Sequence, residues 1–372
     1  MAPRLSMHSA TAARHPMRMS WLLGVLLAVM ALRPVVSWAA EAQVVVHTGP
    51  CNASTALPLG SGFFVVADDE EKPPVTLRLY RSGQGGKAVG EGTIPSPAVA
   101  PVDDGHLELD LEGSAQIGPL AYWIGSHGAA EGKGGKGKKK EDSGLVGEPR
   151  PNQQRLFATT LGVRADGKTM ALTVVPMGRA YTTLIDDLAA DPRYGRFGLA
   201  AAAQRPAKAK GGLNIEGLAS TPKGALLIGF RNPLPEGKAL LATLSNPNGV
   251  MGGEKAMFAD PVLLDLGGQG IRSLERVNAN LLIVAGPAEG SGGKTPPSTL
   301  YRWSEQLEQA PVKLRTFTPM AGESVNPEAL FVQDNTLVVL SDDGNLERDG
   351  KACEDRPKAK QTFREIRLTP IP

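Results

Sequence analysis

The sequence carries no excess of charge of either sign: 40 Lys and Arg stand against 38 Asp and Glu in 372 residues. A nucleic-acid-binding surface normally shows as a strong basic excess, so nucleic acid is excluded as a partner. Histidine is limited to five residues and cysteine to two. Beyond the first forty residues only His47, His106 and His127 remain, at no paired spacing, which leaves an ordinary zinc site without ligands. A Gly-x-Ser-x-Gly nucleophile elbow is missing, since the nearest stretch, IGSHG (124–128), has the wrong spacing. The apolar run from Trp21 to Leu32 stops at Arg33-Pro34, short of the roughly 20 residues a membrane span needs. What is present is a hydrophobic fraction of 41%, enough to pack a core and exclude wholesale disorder. The length suits one large β or α/β domain, or two smaller ones.

Residues 1–40 hold Arg4, Arg14, Arg18 and Arg33 and no acid, followed by small residues at Ser37-Trp38-Ala39. Basic, apolar and small-residue regions in that order read as a secretory signal peptide over 1–39, with a single domain over 41–372. No Cys closely follows the apolar run, which argues against a lipid anchor. Cleavage leaves 36 basic against 38 acidic residues, a slightly acidic exported chain in the periplasm or outside the cell. Cys51 and Cys353 both survive cleavage, into a compartment where disulfides persist. They pair only if the fold brings its two ends together. Such a bridge would stabilise by about 5 kcal/mol through chain entropy.

Short apolar runs recur along the chain: VVVH (44–47), GFFVVA (62–67), VTLRLY (75–80), LELDL (107–111), LAYWIG (120–125), MALTVV (170–175), ALLIGF (225–230), LLIVAG (281–286), TLYRW (299–303) and TLVVL (336–340). Gly, Pro, Asp and Asn separate them, so they read as strands, the continuous ones buried on both faces. Residues 182–203 read as one or two short helices, and the Lys- and Gly-rich stretch 131–144 as a mobile loop. A weak repeat links DLEGSAQIGPLAYWIGS (110–126), NIEGLASTPKGALLIGF (214–230) and NPEALFVQDNTLVVLSDD (326–343): Asx, any residue, Glu, then a turn and an apolar strand. With copies about a hundred residues apart, each marks every second unit of roughly 45 residues. Four short strands in a unit of that size give an all-β propeller of six or seven blades, with a short helical insertion and one blade completed by both termini. Cys51–Cys353 would staple that closure. The competing architecture, a pair of β-sandwiches, has no need for the termini to meet.

Two Gly-rich stretches imitate nucleotide sites. AEGSGGKT (288–295) is followed by Pro296-Pro297 instead of a helix, and GQGGKA (83–88) leads into EGTIPSP; both read as loops. The repeated Glu112, Glu216 and Glu328 would converge on the channel axis, where carboxylates repel unless a cation or a basic side chain compensates. That makes them candidate ligands for Ca2+, the one cofactor the sequence supports. Equally, they would fix turns by accepting backbone N–H bonds. If the repeats superpose, the segments after their strands build a mouth from His127, Arg231, Asp342 and Asp343. Arg155, Arg231 and Arg272 join Asp342 and Asp343 as candidate ligand-binding residues, since guanidinium groups suit a carboxylate or phosphate. Glu216 and His127 are the candidates for a catalytic base.

GLNIEGLA, LLIGFRNPL (226–234), LLDLGGQGIRSL (263–274), LLIVAGP with LYRW, LSDDG (340–344) and the late FREIRL resemble the bacterial family called domain of unknown function 3616. IGSHG and NQQRLF (152–157) add to the resemblance, which runs from about residue 44 to 369. It implies a propeller related in pattern to esterase-like and phytase-like propellers, and no specific activity. The expectation is therefore an exported monomer without a membrane span, binding a small polar or anionic ligand at the channel mouth with or without Ca2+. The alternatives are a propeller hydrolase of phosphoesters or lactones, and an envelope scaffold that meets a protein through 131–144.

Overall fold

The computed structural model describes residues 41–71, 74–95, 107–131, 146–166, 169–290 and 296–372. The expected signal peptide, and the expected mobile loop beyond Glu131, lie outside them. Most of the apolar runs become antiparallel strands closed by turns that contain Gly, Asn or Asp, and the strands assemble into five radial sheets, or blades. Blade I comprises Ala53–Gly60, Phe63–Asp68, Val75–Arg81 and Gly90–Ile94, and blade II Leu111–Ile117, Leu120–Gly125, Leu156–Asp166 and Thr169–Tyr181. Blade III comprises Asn214–Ser220, Leu226–Asn232, Ala239–Leu244 and Val262–Leu264, and blade IV Gly270–Val277, Asn280–Gly286, Thr299–Trp303 and Val312–Thr316. Blade V takes Pro327–Gln333, Thr336–Ser341 and Thr362–Thr369 from the C-terminal end and Glu41–Thr48 from the N-terminal end.

The first strand of each blade touches the first strand of the next, in the order I, II, III, IV, V and back to I, so the ring is closed. This corrects the expected six or seven blades to five. The reason lies in the repeat: 110–112 and 214–216 open adjacent blades, because blade II has outer strands of 11 and 13 residues and is followed by the helices. Only 214–216 and 326–328 skip a blade. Between them, blade IV carries Gly270-Ile271-Arg272 in place of Asx-x-Glu.

Side chains of opposite parity on one strand serve opposite interfaces. Phe64 and Val66 pack with Phe331, Val338 and Leu340 of blade V, while Val65 and Ala67 pack with Trp123 and Phe157 of blade II. Both faces are covered, which is why the run reads as continuously apolar. Five separate apolar clusters fill the five interfaces. Gly217 and Gly229 permit close approach at the interface of blades III and IV, where an added Cβ would meet Ile271 Cγ2 at 2.7 and 2.5 Å. The expected helices are Leu184–Ala190 and Leu199–Ala202, whose Leu184, Leu188 and Leu199 join the cluster between blades II and III. LELDL does not form a strand before Leu111, because Asp110 turns the chain at φ +50°.

Blade V closes the ring. Glu41–Thr48 pairs antiparallel with Thr362–Thr369 over its whole length, and Cys51 and Cys353 form a disulfide with Cα atoms 5.9 Å apart. GQGGKA is not wholly a loop, since Gly86 and Lys87 add to this sheet in parallel with His47 and Thr48. Beneath the seam, Glu365 is enclosed: His47 Nε2 lies 2.8 Å away, the Ser82 hydroxyl donates at 2.6 Å, the Gly83 N–H at 3.0 Å and Arg367 at 2.8 Å. Among the described residues no helix is long and apolar enough to cross a membrane.

Candidate functional site

Every inner strand contains a β-bulge near its start, and in every blade the extra residue occupies the same place: Ser54, Glu112, Glu216, Arg272 and Glu328. A bulge re-aims one side chain out of the alternation. Here it turns one polar residue per blade onto the axis. Two positions earlier stand Asn52, Asp110, Asn214, Gly270 and Asn326, which explains the repeat. The carbonyl of that residue accepts the N–H of the residue leaving the second strand: Asp69 to Asn52 at 3.4 Å, Ser126 to Asp110 at 3.0 Å and Asp342 to Asn326 at 2.9 Å. Asp69 of blade I and Asp342 of blade V are thus equivalent.

The converging charges divide into two groups. Glu216, 3% exposed, accepts hydrogen bonds at Oε1 from Arg231 Nη1 at 2.6 Å and Asn214 Nδ2 at 2.8 Å, and its Oε2 forms an ion pair with Arg272 Nε at 3.0 Å. Burial pushes its carboxyl up, but the two guanidinium groups outweigh that and hold it below the usual range. Arg272 also meets Glu328 and so bridges blades III, IV and V. On the other side, carboxylate oxygens of Asp69, Glu112 and Glu328 lie within 4.8 Å of one another. Burial, then repulsion from Glu216 and Asp110, drives the Glu112 carboxyl well above its usual range. Asp69 is raised for the same first reason, with repulsion from Glu112 and then Asp342 adding to it.

A cavity of about 750 Å³ opens at this end of the channel, and Lys208, Arg231, Arg272, Asn326, Glu328 and Asp342 are among its walls. Of the mouth expected from sequence, Arg231, Asp342 and Asp343 do come together. His127 and Arg155 do not line the cavity. His127, 1% exposed at φ +56°, shares Nδ1 with the Gly125 carbonyl at 2.8 Å, and burial lowers its pKa to about 4. Arg155 is buried and donates to Asn152 at 3.0 Å. Asp343 is committed to Arg364, with bonds of 2.6 and 2.7 Å, so it serves the wall rather than a ligand. Glu216, expected as a metal ligand and as a base, sits instead between two guanidinium groups that occupy both its oxygens.

Ser54, Asp69 and Lys208 were not legible as site residues. The signal for Asp69 is present, since VVADD (65–69) exits its strand into an Asp pair as VVLSDD (338–343) does. Lys208 follows the helical insertion, where no repeat exists to flag it.

Residues 91–324 match the family described as protein of unknown function (DUF3616). The chain belongs to that family. Its match starts within blade I and ends before the inner strand of blade V, so it includes Glu112, Glu216, Arg231 and Arg272 but neither Asp69 nor Glu328. No curated protein matches the chain. Among solved structures, this family member is similar to a Trypanosoma rangeli sialidase mutant with trans-sialidase activity, at 12% identity and TM-score 0.42, over 87% of this chain and 47% of that one. It is also similar to the exo-β-1,3-galactanase of Phanerochaete chrysosporium, at 8% and 0.41, over 88% and 63%. A Cellvibrio cellulosa α-L-arabinanase aligns at 10% and 0.41, over 85% and 91%. The chain spans about half the length of the first of these.

Proposed function

We propose that this family member is an exported propeller that binds a small polar ligand through a carboxylate or phosphate group at the channel mouth. One observation carries the reading: a single cavity of about 750 Å³, within the range of small-molecule sites, has Lys208, Arg231 and Arg272 in its walls. Lys208 is exposed and makes no ion pair with any described residue. Arg231 uses Nη1 on Glu216 and Nε on the Pro287 carbonyl, leaving Nη2 without an acceptor among the described residues. Arg272 is spent on Glu216 and Glu328 and contributes its field. The cavity walls also hold Glu328 and Asp342, which repel a second anionic group, so the ligand bears one anion together with hydroxyl or ammonium groups. Export is supported by the Cys51–Cys353 bridge, which belongs to an oxidising compartment.

A hydrolase reading loses both residues that sequence nominates for it. Glu216 is held ionised between arginines and is a weak base, and His127 is buried away from the cavity. Thermal shift and isothermal titration with inorganic phosphate, sugar monophosphates and hydroxylated monocarboxylates test the binding reading. A concentration-dependent stabilisation that falls about tenfold or more in affinity in Lys208→Ala is expected, in line with the loss of a charge-assisted bond. Failure of every such anion to bind at millimolar concentration would overturn it.

A further inference from the structure

We propose that Asp69, Glu112 and Glu328 hold one hard divalent cation of the calcium class on the channel axis, beside the cavity. This goes beyond the anion reading and does not depend on it. The three oxygens come from blades I, II and V and lie within 4.8 Å of one another. Bulges position two of them and the strand exit positions the third, so the group is set by the ring itself.

A second observation separates this cluster from an ordinary acidic patch. Glu112 is 9% exposed, yet its carboxylate takes no hydrogen bond and no ion pair from any described residue. Asp69 Oδ1 is sealed from solvent and likewise lacks a donor. Three neighbouring carboxylates are paired: Glu216 by ion pairs with Arg231 and Arg272 and a bond from Asn214, its Oε2 by the ion pair alone, Glu328 by Arg272 and Asn326, and Asp342 by Asn326 and the Gly344 N–H. A buried carboxylate without a donor is unfavourable by several kcal/mol unless it is protonated or coordinates a cation. Two of them point at the same place.

The chemistry selects the ion. All donors are carboxylate oxygens, with no His or Cys, which suits a hard cation and not zinc. Calcium binds oxygens at about 2.3–2.6 Å, so oxygens on opposite sides of one ion stand roughly 4.6–5.2 Å apart, and the observed span fits a single shell. Magnesium, at about 2.0–2.1 Å in a strict octahedron, dehydrates reluctantly and keeps several waters, so a set of three protein carboxylates suits calcium better. Calcium's remaining positions would go to water or to a ligand in the cavity.

The test uses the metal alone, so its failure is independent of any anion. Chelator-treated protein in a buffer free of phosphate and carboxylates is titrated with calcium chloride by calorimetry and thermal unfolding. Expected are one ion per chain, a Tm that climbs with free calcium, and affinity about tenfold or more weaker in both Asp69→Asn and Glu112→Gln, because ligand charge sets calcium affinity. Glu70→Gln, at the exposed neighbour of Asp69, keeps the wild-type affinity. Circular dichroism of each variant without metal shows that lost binding is not lost folding. Absence of heat and of a Tm shift at millimolar calcium overturns the proposal. So does binding that survives both substitutions, or magnesium binding more tightly than calcium.

Discussion

Two buried carboxylates at opposite parts of the ring show how partners decide what a buried charge does. Glu365 lies under the seam and Glu112 on the axis, and desolvation pushes both carboxyls up. At Glu365 the bonds from His47, Ser82, Gly83 and Arg367 outweigh burial and bring the pKa to about 2. At Glu112 repulsion from Glu216 and Asp110 adds to burial, while Arg272 and Arg231 compensate only in part. The two buried histidines do not differ in this way: His47 Nε2 faces Glu365 and His127 Nδ1 the Gly125 carbonyl, while the other ring nitrogen of each lacks a partner among the described residues. The Glu365 carboxylate is satisfied from within the chain, whereas the Glu112 carboxylate has no donor among the described residues.

The largest test of the seam is its covalent member. Cys353→Ser removes a bridge across 302 residues and lowers unfolding stability by about 5 kcal/mol in the chain-entropy account, measured by denaturant titration. A change below about 1 kcal/mol would show that strand pairing alone holds the closure. Next, Glu365→Ala strands His47 and Arg367 in the interior and lowers stability by about 3–5 kcal/mol. Its pH signature has a fixed sign. With a folded pKa near 2, below the ordinary carboxylate value, Glu365 stabilises fully above the ordinary value, and that stability disappears as pH falls toward 2. Wild type and Glu365→Gln should therefore converge in stability on acidification.

Much of the seam was readable from sequence and less of the mouth, for a physical reason. Strands, blade closure and the Cys51–Cys353 pair follow from hydrophobic period and chain ends, which are local or global properties of the sequence. The blade number departs from the expected six or seven because 110–112 and 214–216, about a hundred residues apart, open adjacent blades. Only the structure reveals that blade II and its helices lengthen that interval, and that Arg272 substitutes for the missing Glu of blade IV. Glu112, Glu216 and Glu328 do converge on the axis as the repeat implied. Their roles were not readable, because whether a carboxylate faces an arginine or another carboxylate depends on blade order around the ring. Asp69 escaped for the same reason, since blade I keeps the frame but has Ser54 where the others have a charge.

His127 offers the next effect in size. Its folded pKa near 4 lies below the ordinary histidine value of about 6.5, so the folded chain resists the proton that the unfolded chain accepts. The stability it supplies is complete above about pH 6.5 and is lost as pH falls through 4, a decline of about 3 kcal/mol. His127→Asn, which tolerates the positive φ, should remove this part of the acid profile. Parallel profiles for variant and wild type would place the titration elsewhere.

The smallest effect has the opposite sign and is the sharpest test of the contrast. In excess chelator at neutral pH, Glu112→Gln should raise stability by about 1 kcal/mol, since it replaces an unpartnered buried charge with a neutral group of the same shape. The same exchange at Glu365 lowers stability, because four donors there lose their anion. With calcium present the ordering at Glu112 should invert: the wild type gains from the bound ion and the variant does not. A variant less stable than wild type in chelator would mean that Glu112 has a partner within the folded chain. Glu112 would then be satisfied from within the chain, as Glu365 is.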